Sequence, residues 1–124
     1  MPKPELYVYA AWYTKNKYPF LSKSLLNKLT KHIIENAKTK YIQIEQIQGS
    51  QNHMHCLIKL KPAMSTSNAI KLIKGESAHW VNKHKLTEPK FNWNEKYYAA
   101  SVSPNSIERV RNYILNPQIR YIKD

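Results

Sequence analysis

Between residues 6 and 13 the chain alternates: Leu6, Val8, Ala10 and Trp12 share one face, and Tyr7, Tyr9, Ala11 and Tyr13 share the other. The Tyr, Val and Trp content is that of a strand, and two fairly apolar faces predict a central position in its sheet. Pro19 breaks the run. Ser22 or Ser24 offers a cap for a helix reaching about Lys38, with Leu25, Leu26, Leu29, Ile33, Ile34 and Ala37 at the spacing of one buried face. Residues 41–48 alternate again, placing Ile42, Ile44 and Gln46 on one side and Tyr41, Gln43, Glu45 and Ile47 on the other. Gly49-Ser50-Gln51-Asn52 is a turn, and residues 53–60 form the returning strand of a hairpin closed by Pro62. Ser65-Thr66-Ser67 offers a second cap, followed by Ala69, Ile70, Ile73, Ser77, Trp80 and Val81 at helical intervals. Residues 83–93 read as a loop around Pro89. A last short strand is expected over 97–103, and Pro104-Asn105 opens a helix with Ile107, Val110 and Ile114 as its apolar stripe.

The predicted order is β-α-β-β-α-β-α, with no linker, internal repeat or low-complexity tract, so residues 1–124 are expected to be a single domain. It matches an α+β, ferredoxin-like split βαβ: one antiparallel sheet, two helices on one face, and an additional C-terminal helix. The opposite sheet face is expected to be left open.

Charge adds a partner to this picture. The 124 residues carry 20 Lys+Arg against 8 Asp+Glu, a formal net charge of +12. The excess runs through the whole chain, so a folded basic domain facing a polyanion is the natural reading, and nucleic acid is the commonest such partner. Nine Tyr supply surfaces on which unpaired bases can stack. Only three of the 20 basic residues are Arg, so a Lys-rich solvated surface is the plainer alternative. Asp124 is the only Asp, which excludes a nuclease built on clustered aspartates. Two glycines, Gly49 and Gly75, exclude a Gly-rich phosphate loop. One cysteine, Cys56, excludes an internal disulfide and a multi-Cys zinc site. No apolar run has membrane-spanning length and no signal peptide opens the chain, so a cytoplasmic, nucleoid-associated location without a membrane partner is expected.

Two features carry candidate chemistry. In His53-Met54-His55, the period of a strand puts both imidazoles on one face, while Met54, Cys56, Ile58 and Leu60 face the other. Parallel projection of alternate side chains presents two nitrogen ligands to one divalent cation; two half-exposed histidines at a strand end have the same pattern. Cys56, on the core side, reads as a buried thiol. His32, His79 and His84 receive no role. Tyr113 lies in Arg109-Val110-Arg111-Asn112-Tyr113-Ile114. As a nucleophile its hydroxyl needs nearby cations, because an unperturbed phenol ionises near ~10. Arg109 and Arg111 could supply that field or grip a phosphate. Read alone, the same ring packs beside Val110 and Ile114.

Together these motifs resemble the HUH-superfamily single-tyrosine transposases, of the insertion sequence 200 type and their REP-associated relatives. The resemblance rests on the His53-Met54-His55 strand, on Lys74-Gly75-Glu76-Ser77 within the helix Lys71 to Trp80, and on Trp93, Tyr97 to Ser103 and Tyr113-Ile114 in that order. Tyr9 to Lys15 fits as well, so the likeness covers nearly the whole chain. It implies cleavage and rejoining of single-stranded DNA, with His53 and His55 holding Mg²⁺ or Mn²⁺ and Tyr113 forming a covalent 5′-phosphotyrosine. It also implies a homodimer that recognises DNA hairpins. Lys74, Arg109 and Arg111 are the candidate DNA contacts.

One position departs from that pattern. The family's third metal ligand is a Gln one helical turn after the tyrosine, where this chain has Pro117, followed by Gln118. Pro117 disfavours helix at Asn116, so the helix is expected to kink or end there, with Tyr113 in its last turn. Gln118 is carried as a displaced candidate for the third ligand, with Asn116 beside it, and Tyr121 is a lesser candidate nucleophile. The departure motivates a second reading, a DNA-hairpin-binding protein with weakened catalysis. A third, a ferredoxin-like RNA binder, lacks a suitably placed aromatic pair.

Overall fold

The computed structural model describes residues 6–116. Among these, the elements run β1 (Leu6–Tyr13), α1 (Lys23–Thr39), β2 (Gln43–Gly49), β3 (His53–Leu60), α2 (Thr66–Lys83), β4 (Tyr98–Val102) and α3 (Ile107–Leu115). The four strands form one antiparallel sheet in the order β2-β3-β1-β4, which puts β1 inside, as its two apolar faces predict. The architecture is the expected α+β sandwich.

The core lies between the sheet and the first two helices. Val8, Ala10 and Trp12 of β1 and Met54, Cys56, Ile58 and Leu60 of β3 meet Leu25, Leu29, Ile33 and Ala37 of α1 and Ala69, Ile70, Ile73 and Val81 of α2. Ser22 caps α1 by accepting from the Leu25 amide at 3.1 Å, and Ser65 caps α2 by accepting from Asn68 at 3.1 Å. Ile34, assigned to the α1 stripe from spacing, lies at its edge and is 38% exposed. The excursion after α2 is irregular, as expected, and after an exposed stretch around Pro89 it turns inward. Phe91 and Trp93 enter the core, and Trp93 bridges to Thr14 at the end of β1.

The alternation assigned to residues 41–48 fails halfway. A bulge between Ile44 and Gln46 pairs Ile44 with Ile58 but Gln46 with Leu57 and Ile47 with Cys56. One extra residue resets the phase, so Ile42, Ile44 and Ile47 all join the core cluster. Gln46 leaves the core face and pairs with Leu57, while Glu45 meets Arg111 of α3.

That other face is not left open along its whole width. α3 packs on β2 and β3, and Leu57 of β3 and Ile114 of α3 are both fully buried outside the main core. The half over β1 and β4 remains a groove.

Candidate active site

The antiparallel register builds the site. Tyr13 pairs with His53, Ala11 with His55 and Tyr9 with Leu57, so the odd-numbered side chains of β1 share a face with the two histidines. α3 then lays Tyr113 over them. The Tyr113 ring lies edge-on to Tyr9 and to His55, each with centroids 5.9 Å apart. His53 and His55 are 5.5 Å apart, centroid to centroid. Thus the three residues singled out from sequence, on two elements, converge on one point.

Each imidazole is oriented through Nδ1. Tyr9 Oη lies 2.9 Å from Nδ1 of His55, which is 1% exposed, and Ser50 Oγ lies 2.6 Å from Nδ1 of His53. Such hydroxyl partners hold the orientation of the two rings, as the outer partners of metal-bound imidazoles commonly do. The turn supplying Ser50 is tight. Its amide donates to the His53 carbonyl at 2.9 Å, and a Cβ on Gly49 would stand 2.7 Å from that same oxygen, so the position requires glycine.

The donor set fits part of a metal shell. Two imidazoles occupy two positions of a divalent cation, leaving the others to phosphate oxygens, water or residues beyond Asn116. Among the described residues no group of three or more His, Cys, Asp or Glu is gathered for a metal. Gln118 and Tyr121 lie outside the described residues. α3 does end where Pro117 demands: Asn116 is extended at φ −111° and ψ 94°, and its side-chain amide donates back to the Asn112 carbonyl at 2.9 Å. Tyr113 therefore stands in the last turn of its helix.

The candidate DNA contacts have different surroundings. Arg109 lines the groove and bonds Ser106 at 3.0 Å. Arg111 is ion-paired with Glu45 of β2 at 3.1 Å and with Glu108 at 2.6 Å, bracing α3 on the sheet. Lys74 Nζ donates to the carbonyls of Asn94, Glu95 and Lys96 at 2.7, 3.3 and 3.3 Å. Burial lowers the Lys74 pKa from its ordinary value, and the Glu95 carboxylate works in the opposite direction. One turn on, the Ser77 hydroxyl accepts from the Trp93 indole at 2.9 Å. Lys74 and Ser77 thus clasp the segment 93–96, which leads into β4 and lines the groove.

The groove itself encloses about 1470 Å³ and carries Tyr9, Tyr13, Tyr97, Tyr98 and Tyr113 together with Lys17, Lys96 and Arg109; among the described residues no acidic side chain lines it. Composition foretold tyrosines and cations without placing them. Tyr9 and Ser50 were legible only in part. The alternation put Tyr9 opposite the core, but the pairing that aims it at His55 spans 46 residues. Of the histidines without an assigned role, His32 bonds the Glu76 carboxylate at 2.8 and 2.9 Å and stacks on Trp80, tying α1 to α2 away from the site.

A family model described as "Transposase IS200 like" matches residues 3–117. Two solved structures share the fold. One is a putative transposase from Deinococcus radiodurans R1, 21% identical, covering 94% of this chain and 97% of that one with a TM-score of 0.75. The other is a REP-associated tyrosine transposase bound to a REP hairpin, 14% identical, covering 98% of this chain and 72% of that one with a TM-score of 0.72. No match is found among curated proteins. With the family model spanning nearly its full length, this chain belongs to the IS200-like transposase family.

Proposed function

We propose that this transposase cleaves and rejoins single-stranded DNA through Tyr113, acting as one domain over residues 1–124 and as a homodimer on DNA hairpins. The observation that carries the reading is the packing of the Tyr113 ring against His55, whose neighbour His53 shares its face of the sheet. The structure of a hairpin-bound relative with the same fold supports the choice of DNA form.

In this reading His53 and His55, with Gln118 as a third ligand, would hold Mg²⁺ or Mn²⁺, which would supply Lewis-acid polarisation of the scissile phosphate. Tyr9 and Ser50 keep the two rings in place. Tyr113 Oη attacks the phosphorus, the bond from phosphorus to the 3′ oxygen breaks, and the phenolic proton ends on that oxygen. A 3′-hydroxyl leaves while the 5′ end stays joined to Tyr113. Attack by a second 3′-hydroxyl reverses the step, so the phosphodiester energy is retained and no nucleotide hydrolysis is required. Arg109 contacts phosphate in the groove, and Lys74 and Arg111 add positive potential from the places where their partners hold them.

A second reading, hairpin binding with weakened catalysis, is favoured by the extended backbone at Asn116, which ends the helix short of the family's third-ligand position. The deciding experiment incubates the protein with hairpin-bearing single-stranded DNA and Mn²⁺ and looks for a covalent adduct. The expected result is an adduct with the wild type and none with Tyr113→Phe. Hairpin binding without an adduct from either protein selects the second reading.

A further inference from the structure

The groove beside the histidine–tyrosine cluster has walls of a distinct kind. Tyr13 and Tyr98 are the most exposed of its tyrosines, at 46% and 61%, with Tyr97 at 39%. Both stand on the sheet face that carries the histidines, because Tyr98 pairs with Ala11 and Tyr9 with Ala100. Alternate positions on one strand are about 7 Å apart, so Tyr9 and Tyr13 are separated by about 13 Å with only a methyl group, Ala11, between them. Ala100 is the matching small residue on β4. The floor is therefore apolar and low, and the rings rise from it. Tyr13 lies 5.8 Å from His53, and Tyr98 lies 6.1 Å from Tyr9, centroid to centroid. Tyr13 and Tyr98 thus flank the cluster. Lys17 Nζ sits 4.6 Å over the Tyr13 ring, while Lys96 and Arg109 line the same hollow.

Flat exposed rings beside cations, with no carboxylate among the described lining residues, fit an unpaired polynucleotide better than a duplex. A duplex keeps its base faces stacked on one another, whereas an unpaired strand offers both base faces and phosphates. We infer that the unpaired nucleotides next to the scissile phosphate lie in this groove with their bases stacked on Tyr13 and Tyr98. Lys17, Lys96 and Arg109 hold the phosphates alongside. Lys17 is fixed for this task by a left-handed backbone, φ 56°, and by a 3.3 Å bond from Asn52 Nδ2 to its carbonyl. The segment 93–96 reaches the groove under the Lys74–Ser77 clasp, which gives that motif a purpose in strand binding. The inference rests on the proposed action on single-stranded DNA and assigns the residues that hold the strand.

The test uses the full chain without added metal, so that binding is separated from chemistry. The probe is a DNA hairpin with an unpaired flank carrying a fluorescent adenine analogue that stacking quenches; the same hairpin without the flank is the control. Tyr13→Ala and Tyr98→Ala are each expected to weaken binding of the flanked hairpin about 10-fold and to restore fluorescence. Tyr98→Trp keeps both binding and quenching, and binding of the unflanked hairpin does not change. Wild-type affinity and quenching in both alanine variants overturn the inference, and so does an equal loss on the unflanked hairpin. A wild-type protein that shows the tyrosine-dependent quenching but forms no adduct with Mn²⁺ keeps the strand path and sinks the catalytic reading. The opposite pair of results does the reverse.

Discussion

The two faces of the sheet are built from neighbouring residues and do different work. On one, Met54, Cys56, Ile58 and Leu60 are sealed under α1 and α2. On the other, His53, His55 and Leu57 are covered by a single nine-residue helix on one side and face a groove on the other. The first face supplies most of the buried apolar area, and stability with it. The second holds polar rings whose positions depend on a hydroxyl, a turn and a short helix. In the proposed function, chemistry is placed where packing is thinner because a substrate strand has to reach it.

The sharpest way to break this comparison is to truncate two adjacent residues of β3. Ile58→Ala and Leu57→Ala should each cost about 2–5 kcal/mol in urea denaturation, since both side chains are fully buried. They should differ in function. Adduct yield with Ile58→Ala should follow the folded fraction, while Leu57→Ala removes the seat of α3 and should lower it further. Equal yields per folded molecule would mean that α3 is positioned by something other than Leu57.

The core face also has a pH signature. Burial pushes the Cys56 thiol from 9.0 up to about 12. The unfolded chain releases this proton above pH 9.0 and the folded chain holds it to about 12, so stability falls as pH rises through that window. The slope from this group is about 1.4 kcal/mol per pH unit. Denaturation at several alkaline pH values should show a steeper decline for the wild type than for Cys56→Ala; parallel declines would remove Cys56 as the cause.

On the groove face the corresponding change is smaller in stability and larger in ligand affinity. Tyr9→Phe deletes the hydroxyl at His55 Nδ1 and keeps the ring. Mn²⁺ affinity, followed by the paramagnetic resonance of the free ion, should fall about 10-fold or more, with a stability change of about 1 kcal/mol. A loss of stability without a change in Mn²⁺ affinity would make Tyr9 part of the packing alone.

Much of this was legible in the chain. The β-α-β-β-α-β-α order, the inner place of β1, the caps at Ser22 and Ser65 and the shared face of His53 and His55 follow from local periodicity. The end of α3 at Asn116 follows from one proline. The misplaced face of Ile47 shows the limit: strict period two puts it opposite Ile42 and Ile44, and only a bulge at the adjacent polar pair Glu45-Gln46 brings it back to their face. Lys74 shows another. As a lysine on a helix of a basic protein it reads as a phosphate contact, and only the fold brings it to three carbonyls some 20 residues away.

The sequence by itself determined the strand that aims two imidazoles in one direction, the helix that ends just past Tyr113, and the positive charge of the whole. Those are consequences of period, backbone stereochemistry and composition, which act within a few residues. Only the tertiary structure decided that α3 closes half of the second sheet face, that Tyr9 and Ser50 orient the histidines, and that Arg111 and Lys74 brace the walls of a groove opened by Ala11 and Ala100. Those depend on strand register and helix docking, set by burial of side chains far apart in the chain, and no local pattern encodes them.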